Sequence, residues 1–150
     1  MRALIQRVKN ANVKIQEKLI ASIGNGMLIF LGIETADSSE DVEWLASKIV
    51  GLRIFDDTNG VMNLSVVDVK GDVLIVSQFT LHASTRKGNR PSYFQAALPE
   101  HAVPLYKEFI TQIEKKSACN VKFGIFGENM QVGLTNDGPV TILIDSKRKE

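Results

Sequence analysis

Only two stretches of this chain carry helical periodicity, and each has a single apolar face, so each needs a sheet to cover. Asp37-Ser38-Ser39-Glu40 has the form of a capping box, and Val42, Leu45, Ala46, Ile49 and Leu52 follow at helical spacing. A helix is expected from Ser38 to about Arg53, with Trp44 off its apolar stripe. Pro99-Glu100 announces a second helix. Val103, Tyr106, Phe109, Ile110 and Ile113 line one face of it, and Lys115-Lys116 close its last turn, where cations suit the helix dipole.

The rest of the chain reads as strands. Ala11, Val13 and Ile15 alternate with Asn12 and Lys14, the pattern of a half-buried strand, and "ALIQRV" belongs to the same or an adjacent one. Leu19 to Ile23, the turn Gly24-Asn25-Gly26 and "MLIFLGI" predict a hairpin whose second strand is buried on both faces. "DVLIVSQFTL" is expected as one strand bounded by Lys70-Gly71-Asp72, and Thr58-Asn59-Gly60 as a turn. "VKFGIFG" is a further strand. Gln131 to Leu134 and Val140 to Asp145 are expected as two strands, between which Asn136-Asp137-Gly138 has the form of a hairpin turn, although Pro139 removes a backbone donor where the second should begin pairing. With no repeat, linker or low-complexity segment, the expectation is one α+β domain spanning 1–150, its mixed, mostly antiparallel sheets forming a barrel-like core covered by two main helices.

Composition bounds the function weakly. A hydrophobic fraction of 44% and a charged fraction of 23% are ordinary for a globular domain. The formal net charge of +1 means that any attraction to a polyanion must be local. A lone cysteine, Cys119, suits a reducing compartment, and neither a signal-peptide core nor a membrane-length apolar run is present, so a soluble cytoplasmic protein is expected.

Catalytic side chains are scarce. His101 falls in the first turn of the second helix and reads as solvated. His82 lies five residues after Ser77, but no G-x-S-x-G elbow accompanies them. Cys119 follows a helix C-terminus, the wrong end for lowering a thiol pKa. Asp56 to Gly60 lacks the ligand spacing of a calcium loop and reads as a polar turn; neither a zinc set nor a nucleotide-binding glycine motif occurs. Polar residues in unexpected places remain. Ser77-Gln78 interrupts an apolar strand, which either reaches the surface there or lines a cleft. Arg86, Lys87 and Arg90 crowd a loop before Tyr93 and Phe94, either solvated or facing phosphate.

Ser77-Gln78-Phe79-Thr80-Leu81 together with Asn136-Asp137-Gly138-Pro139-Val140-Thr141 closely resembles the paired signature of the D-aminoacyl-tRNA deacylases. "MRALIQRV", "RIFDD" through "MNLSV", "TRKGNRPSY" and "MQV" extend the likeness over essentially the whole chain. The resemblance implies hydrolysis of the ester joining a D-amino acid to tRNA, by a homodimer in which a cis Gly138-Pro139 peptide enters the partner's site and excludes L substrates. Proline makes the cis bond accessible, and glycine before it leaves room for substrate. Glycyl-tRNA, with no side chain to exclude, should also enter.

Because the bond is an activated ester, oxyanion stabilisation matters more than a strong nucleophile. Backbone N–H groups near Phe79 and Thr80 are the expected donors, Gln78 and Ser77 hold the strand end and the terminal ribose, and water attacks. Thr80 as a covalent nucleophile is the rival, without a base nearby. Phe79 and Met130 are candidate contacts for the terminal adenine, against simple core packing. Arg86, Lys87 and Arg90 are candidates for tRNA phosphates. No cofactor, metal, membrane or DNA partner is expected. The competing reading is an inert dimeric module that holds RNA ends or a small amino compound.

Overall fold

The computed structural model describes residues 1–149. In chain order it contains β1 (Arg2–Ile15), β2 (Lys18–Ile23), β3 (Gly26–Gly32), α1 (Ser39–Val50), β4 (Phe55–Asp56), β5 (Met62–Leu64), β6 (Asp72–Ser77), a 3-10 turn (Phe79–His82), α2 (Pro99–Ser117), β7 (Val121–Phe123) and β8 (Gln131–Asp145).

β1 organises the molecule. Its first half pairs with β3 and its second half with β2 along one edge, while β8 runs antiparallel along the other edge for nearly its full length. β6 then adds parallel to β3, and β7 parallel to β6. The result is a nearly closed, mixed, barrel-like sheet, with β4 and β5 as a separate small hairpin around the Thr58–Gly60 turn. The two parallel pairings need crossovers, and α1 and α2 supply them.

Both helices lie on the same face of the sheet. Val42, Leu45, Ala46 and Ile49 of α1 and Phe109, Ile110 and Ile113 of α2 share one core with Ile5, Met27, Ile29 and Ile75. The opposite face is filled from within the barrel by Val8, Val13, Ile23, Leu28 and Leu74. β3 is therefore buried on both faces, as its apolar run predicts. α1 is shorter than its stripe suggests: Ser38 is the N-cap, Asp41 accepts from Ser38 N at 2.9 Å to close the box, and the helix ends before Leu52.

Burial pushes the Asp41 carboxyl up, but hydrogen bonds from Lys147 at 2.7 Å and Ser146 at 2.7 Å outweigh that and leave its pKa at about 2. The end of β8 is pinned to α1 through this carboxylate.

Two strand expectations fail. The predicted strand through Leu81 stops at Ser77, where the chain turns into the 3-10 segment. The hairpin expected at Asn136–Gly138 does not exist: both halves pair with β1 in one continuous strand. Alternating strand residues flanking Asn-Asp-Gly resemble a hairpin in sequence, and only the pairing partner separates a hairpin from a strand that bulges.

Candidate active site

Where β6 ends, Gln78 N still donates to Leu31 O at 2.7 Å, and the chain then tightens into the 3-10 turn, with Leu81 N on Gln78 O at 3.2 Å and Ala83 N on Thr80 O at 3.0 Å. Among the described residues the N–H groups of Phe79 and Thr80 find no acceptor, as expected for the first amides of a helical turn. Gln78 Nε2 donates to Thr80 Oγ1, which ties both side chains to the turn.

Beside this turn lies a cavity of about 310 Å³. Ser77, Gln78 and Phe79 line one side, and Ile33 and Ala97 another. The segment Phe126 to Met130 closes it. Phe126 leans on Tyr106 at 5.6 Å between ring centroids, and Tyr106 donates its hydroxyl to Ile75 O at 3.1 Å. Burial pushes that phenol well above its usual range, so it serves as a neutral prop. Met130 packs onto Gly124, where an added Cβ would overlap its sulfur.

The structure therefore gathers Ser77, Gln78, Phe79 and Met130 around one cavity. Thr80 is half-buried on the turn but does not line the space. Arg86, Lys87 and Arg90 are exposed on a loop closed by the Ser84–Ser92 bridge. Tyr93 packs edge-on against Phe79 at 5.0 Å, which couples the base of that loop to the turn. Sequence reading missed the wall from Phe126 to Asn129. Its signal was Gly124 and Gly127 three residues apart just before β8, Gly127 having a positive φ of 83°.

Gly138 and Pro139 stand elsewhere. Gln6 pairs with Thr141 and Val8 with Asn136, so the single residue Arg7 faces four residues of β8, and the surplus is extruded as a wide bulge. Asn136 spans its neck, donating to Arg7 O and to Val140 O, both at 3.0 Å. Buried Arg7 donates to Asp137 O at 3.2 Å and to Ile54 O at 2.8 Å, and its guanidinium lies 3.3 Å from the Asp137 carboxylate. Gly138 and Pro139 at the tip are exposed, joined by a cis peptide, and absent from the lining of the cavity.

Of the remaining candidates, His101 is exposed and its Nε2 meets Asp37 O at 2.9 Å, while Cys119 is a half-buried thiol near Val66 O. Asp57 accepts from Asn59 N at 2.8 Å and organises the polar turn expected at 56–60. Among the described residues no three His, Cys, Asp or Glu side chains are grouped to hold a metal ion.

A profile of the family described as D-Tyr-tRNA(Tyr) deacylase matches residues 4–145. The chain belongs to this family. It is 57% identical over its full length, and over all of the relative's, to a D-aminoacyl-tRNA deacylase of Flavobacterium psychrophilum. The same holds for a D-aminoacyl-tRNA deacylase of Porphyromonas gingivalis. Among solved structures, a c-Myc DNA Unwinding Element Binding Protein superposes with a TM-score of 0.92 at 39% identity, over 97% of this chain and 98% of that one. A probable eukaryotic D-amino acid tRNA deacylase shares the fold at 16% identity, with a TM-score of 0.82 over 95% of this chain and 97% of that one.

Like others of the deacylase family, this chain is a hydrolase of the D-aminoacyl-tRNA ester, acting in translational proofreading. No helix of the described residues is long and apolar enough to cross a membrane.

Proposed function

We propose that the ester is cleaved at the Ser77–Thr80 turn and that handedness is judged by Gly138-Pro139 of a second subunit. The observation that carries this reading is the bulge in β8. A strand that extrudes four residues opposite one, and braces the neck with a buried arginine and a doubly bonded asparagine, holds its exposed tip in fixed register. That tip does not line the cavity of its own chain, so a partner's cavity is its destination.

Inside the cavity the chemistry needs few side chains. The unpartnered N–H groups of Phe79 and Thr80 receive the developing oxyanion, and one well-placed donor of this kind contributes roughly 3 kcal/mol. Ser77 and Gln78 hold the terminal ribose, Phe79 and Met130 flank the adenine, and water attacks, with the free vicinal hydroxyl of the ribose as proton partner. Backbone carbonyls of the partner's tip accept from the substrate's α-amino group, and the wall they form leaves space at the α-carbon for hydrogen or a D substituent only. Glycyl-tRNA is then a substrate as well. Arg86, Lys87 and Arg90 meet tRNA phosphates. The protein works as one domain in a cytoplasmic homodimer.

Subunit mixing tests this directly. Gln78→Ala and Gly138→Ala proteins should each be poor deacylases of D-tyrosyl-tRNA. Exchanged together, they should recover about a quarter of the wild-type sites, because half the dimers become hybrids with one intact site. No recovery after verified exchange would place both elements in one chain's site. Cleavage of neither D- nor L-tyrosyl-tRNA by the wild type would favour the inert RNA-end module.

A further inference from the structure

The catalytic turn ends on a side chain that the mechanism above leaves unused. His82 is only 1% exposed, and among the described residues neither ring nitrogen has a hydrogen-bond partner. A phenylalanine or leucine would fill the same volume without burying an unsatisfied donor, so the imidazole is a poor choice for packing alone.

Its surroundings show what the ring touches. The imidazole lies over Gly32, where an added Cβ would come within 3.0 Å of His82 Cδ2 and 2.9 Å of Gln78 O. The ring and the start of the turn thus share one glycine-sized seat. The nearest carboxylate is that of Glu34, with Oε2 3.6 Å from Nδ1, beyond hydrogen-bond reach. Glu34 is bridged to Ala96, and its neighbours Ile33 and Ala97 line the cavity, Ala97 N donating to Ile33 O at 2.9 Å. From β1, Arg2 donates to Leu81 O at 2.9 Å, and its charge and the amino group of Met1 also face the ring.

We propose that His82 is a positioning residue for the deacylation: the neutral ring, seated on Gly32, fixes the turn that carries Phe79 and Thr80, and protonation draws it toward Glu34 and slows turnover without weakening substrate binding. This rests on placing the reaction at the Ser77–Thr80 turn.

An imidazolium has two donors to satisfy, and the seat offers it only the Gly32 backbone, which makes no well-formed bond to either nitrogen, and the Glu34 carboxylate 3.6 Å from Nδ1. Charging the ring therefore favours a shift toward the one facing carboxylate, and the shift is transmitted to Leu81 and Thr80 because His82 is the last residue of a four-residue turn. Burial, helped by Arg2 and the Met1 amino group, pushes the imidazole below the ordinary histidine range, against the pull of the Gly32 backbone and, more weakly, of Glu34. The neutral ring is thus the resting form near neutrality. Its native-state contribution is complete above roughly pH 6.5, the unfolded value, and declines as pH falls below it.

The test follows kcat and KM for D-tyrosyl-tRNA from about pH 5 to about pH 8, corrected for spontaneous ester hydrolysis, alongside the ring-proton NMR titration of His82. His101→Gln assigns the two histidine signals. We expect wild-type kcat to fall several-fold on an acid limb that tracks the His82 titration while KM holds. His82→Phe should flatten the limb, and Glu34→Gln should move both limb and titration to lower pH. An acid limb unchanged in His82→Phe and Glu34→Gln would overturn the proposal. So would a His82 signal that titrates apart from kcat, a readout that stands even if His82→Phe fails to fold. A Gln78→Ala enzyme of undiminished kcat would instead remove the site assignment on which the proposal rests.

Discussion

The turn after β6 and the bulge in β8 are both places where a strand is interrupted by polar residues, and they resolve the interruption in opposite ways. At Ser77 the strand ends, and the chain tightens into a short turn whose far end is buried through His82 and tied down by Arg2. At Asn136 the strand continues, and the surplus residues are pushed outward with Gly138 and Pro139 exposed at the tip. The first arrangement leaves the Phe79 and Thr80 amides without an acceptor beside a cavity that Ser77, Gln78 and Phe79 of the same chain line. The second presents a braced piece of main chain to something outside it. Rigidity is common to both, and direction separates them.

The comparison breaks most easily at Gly138. Its φ of 120° is outside the range L side chains favour, and a Cβ there would meet Arg7 Nη2 at 2.8 Å and Val140 Cγ2 at 3.0 Å. Gly138→Ala should displace the tip by several tenths of an ångström. Deacylation of D-tyrosyl-tRNA should then fall roughly a hundredfold, the scale of loss from a small misplacement at a reacting centre. Circular dichroism and thermal unfolding would show the fold retained; full activity in a folded protein would mean that the tip has no place in the reaction.

Asn136 sharpens the same contrast from the neck. Asn136→Ala removes both of its donated bonds, to Arg7 O and Val140 O, each net worth about 1 kcal/mol. Unfolding in urea should show a loss on the order of 2 kcal/mol, with deacylation down about tenfold as the tip loosens. A stability loss without any change in activity would separate the neck from the function of the tip.

The two regions were unequally legible in the sequence. Helical periodicity located both helices and their apolar faces, since an amphipathic stripe is a local property. The one-faced helices correctly required a sheet, and the unbroken apolar run of β3 told that it is covered twice. Ser77-Gln78 stood out as polar residues at the end of an apolar strand, and they do line a cavity. Asn136 to Val140 was misread, because the turn residues of a hairpin and those of a wide bulge are the same, and what differs is that β1 pairs with both flanks. The wall at Phe126 to Asn129 was missed because it carries no charged pair or nucleophile, and its shape comes from packing on Tyr106. The sequence could not show that His82 packs beside Gly32 and Glu34, since they lie some fifty residues away in the chain.

Thr80 tests the turn by side chain where the bulge was tested by backbone. If the amides of Phe79 and Thr80 carry the oxyanion, Thr80→Ala keeps them and loses only the hydroxyl that accepts from Gln78. Activity should stay within about tenfold of wild type, with the loss in kcat, since a neutral hydrogen bond contributes about 1 kcal/mol. Near-complete loss in a folded protein would make Thr80 the nucleophile, and trapping of a covalent aminoacyl-enzyme by rapid acid quench would follow.

The smallest effect belongs to the basic loop, and it distinguishes attraction from chemistry. Lys87 is exposed, takes part in none of the ion pairs of the described residues, and sits on the loop whose base Tyr93 joins to Phe79. Removing one phosphate contact by Lys87→Ala should raise KM a few-fold at moderate salt and leave kcat alone. The slope of log(kcat/KM) against log salt should become shallower by about 0.7 to 0.9, the counterion release of one contact. The salt slope is the deciding measurement, because a loop that merely packs against the turn would alter kcat and leave the slope where it was. Such a result would shift Tyr93–Phe79 from a tether for tRNA contacts to a brace for the catalytic turn, and the outward-facing bulge would be left as the part of the molecule most clearly built to meet another chain.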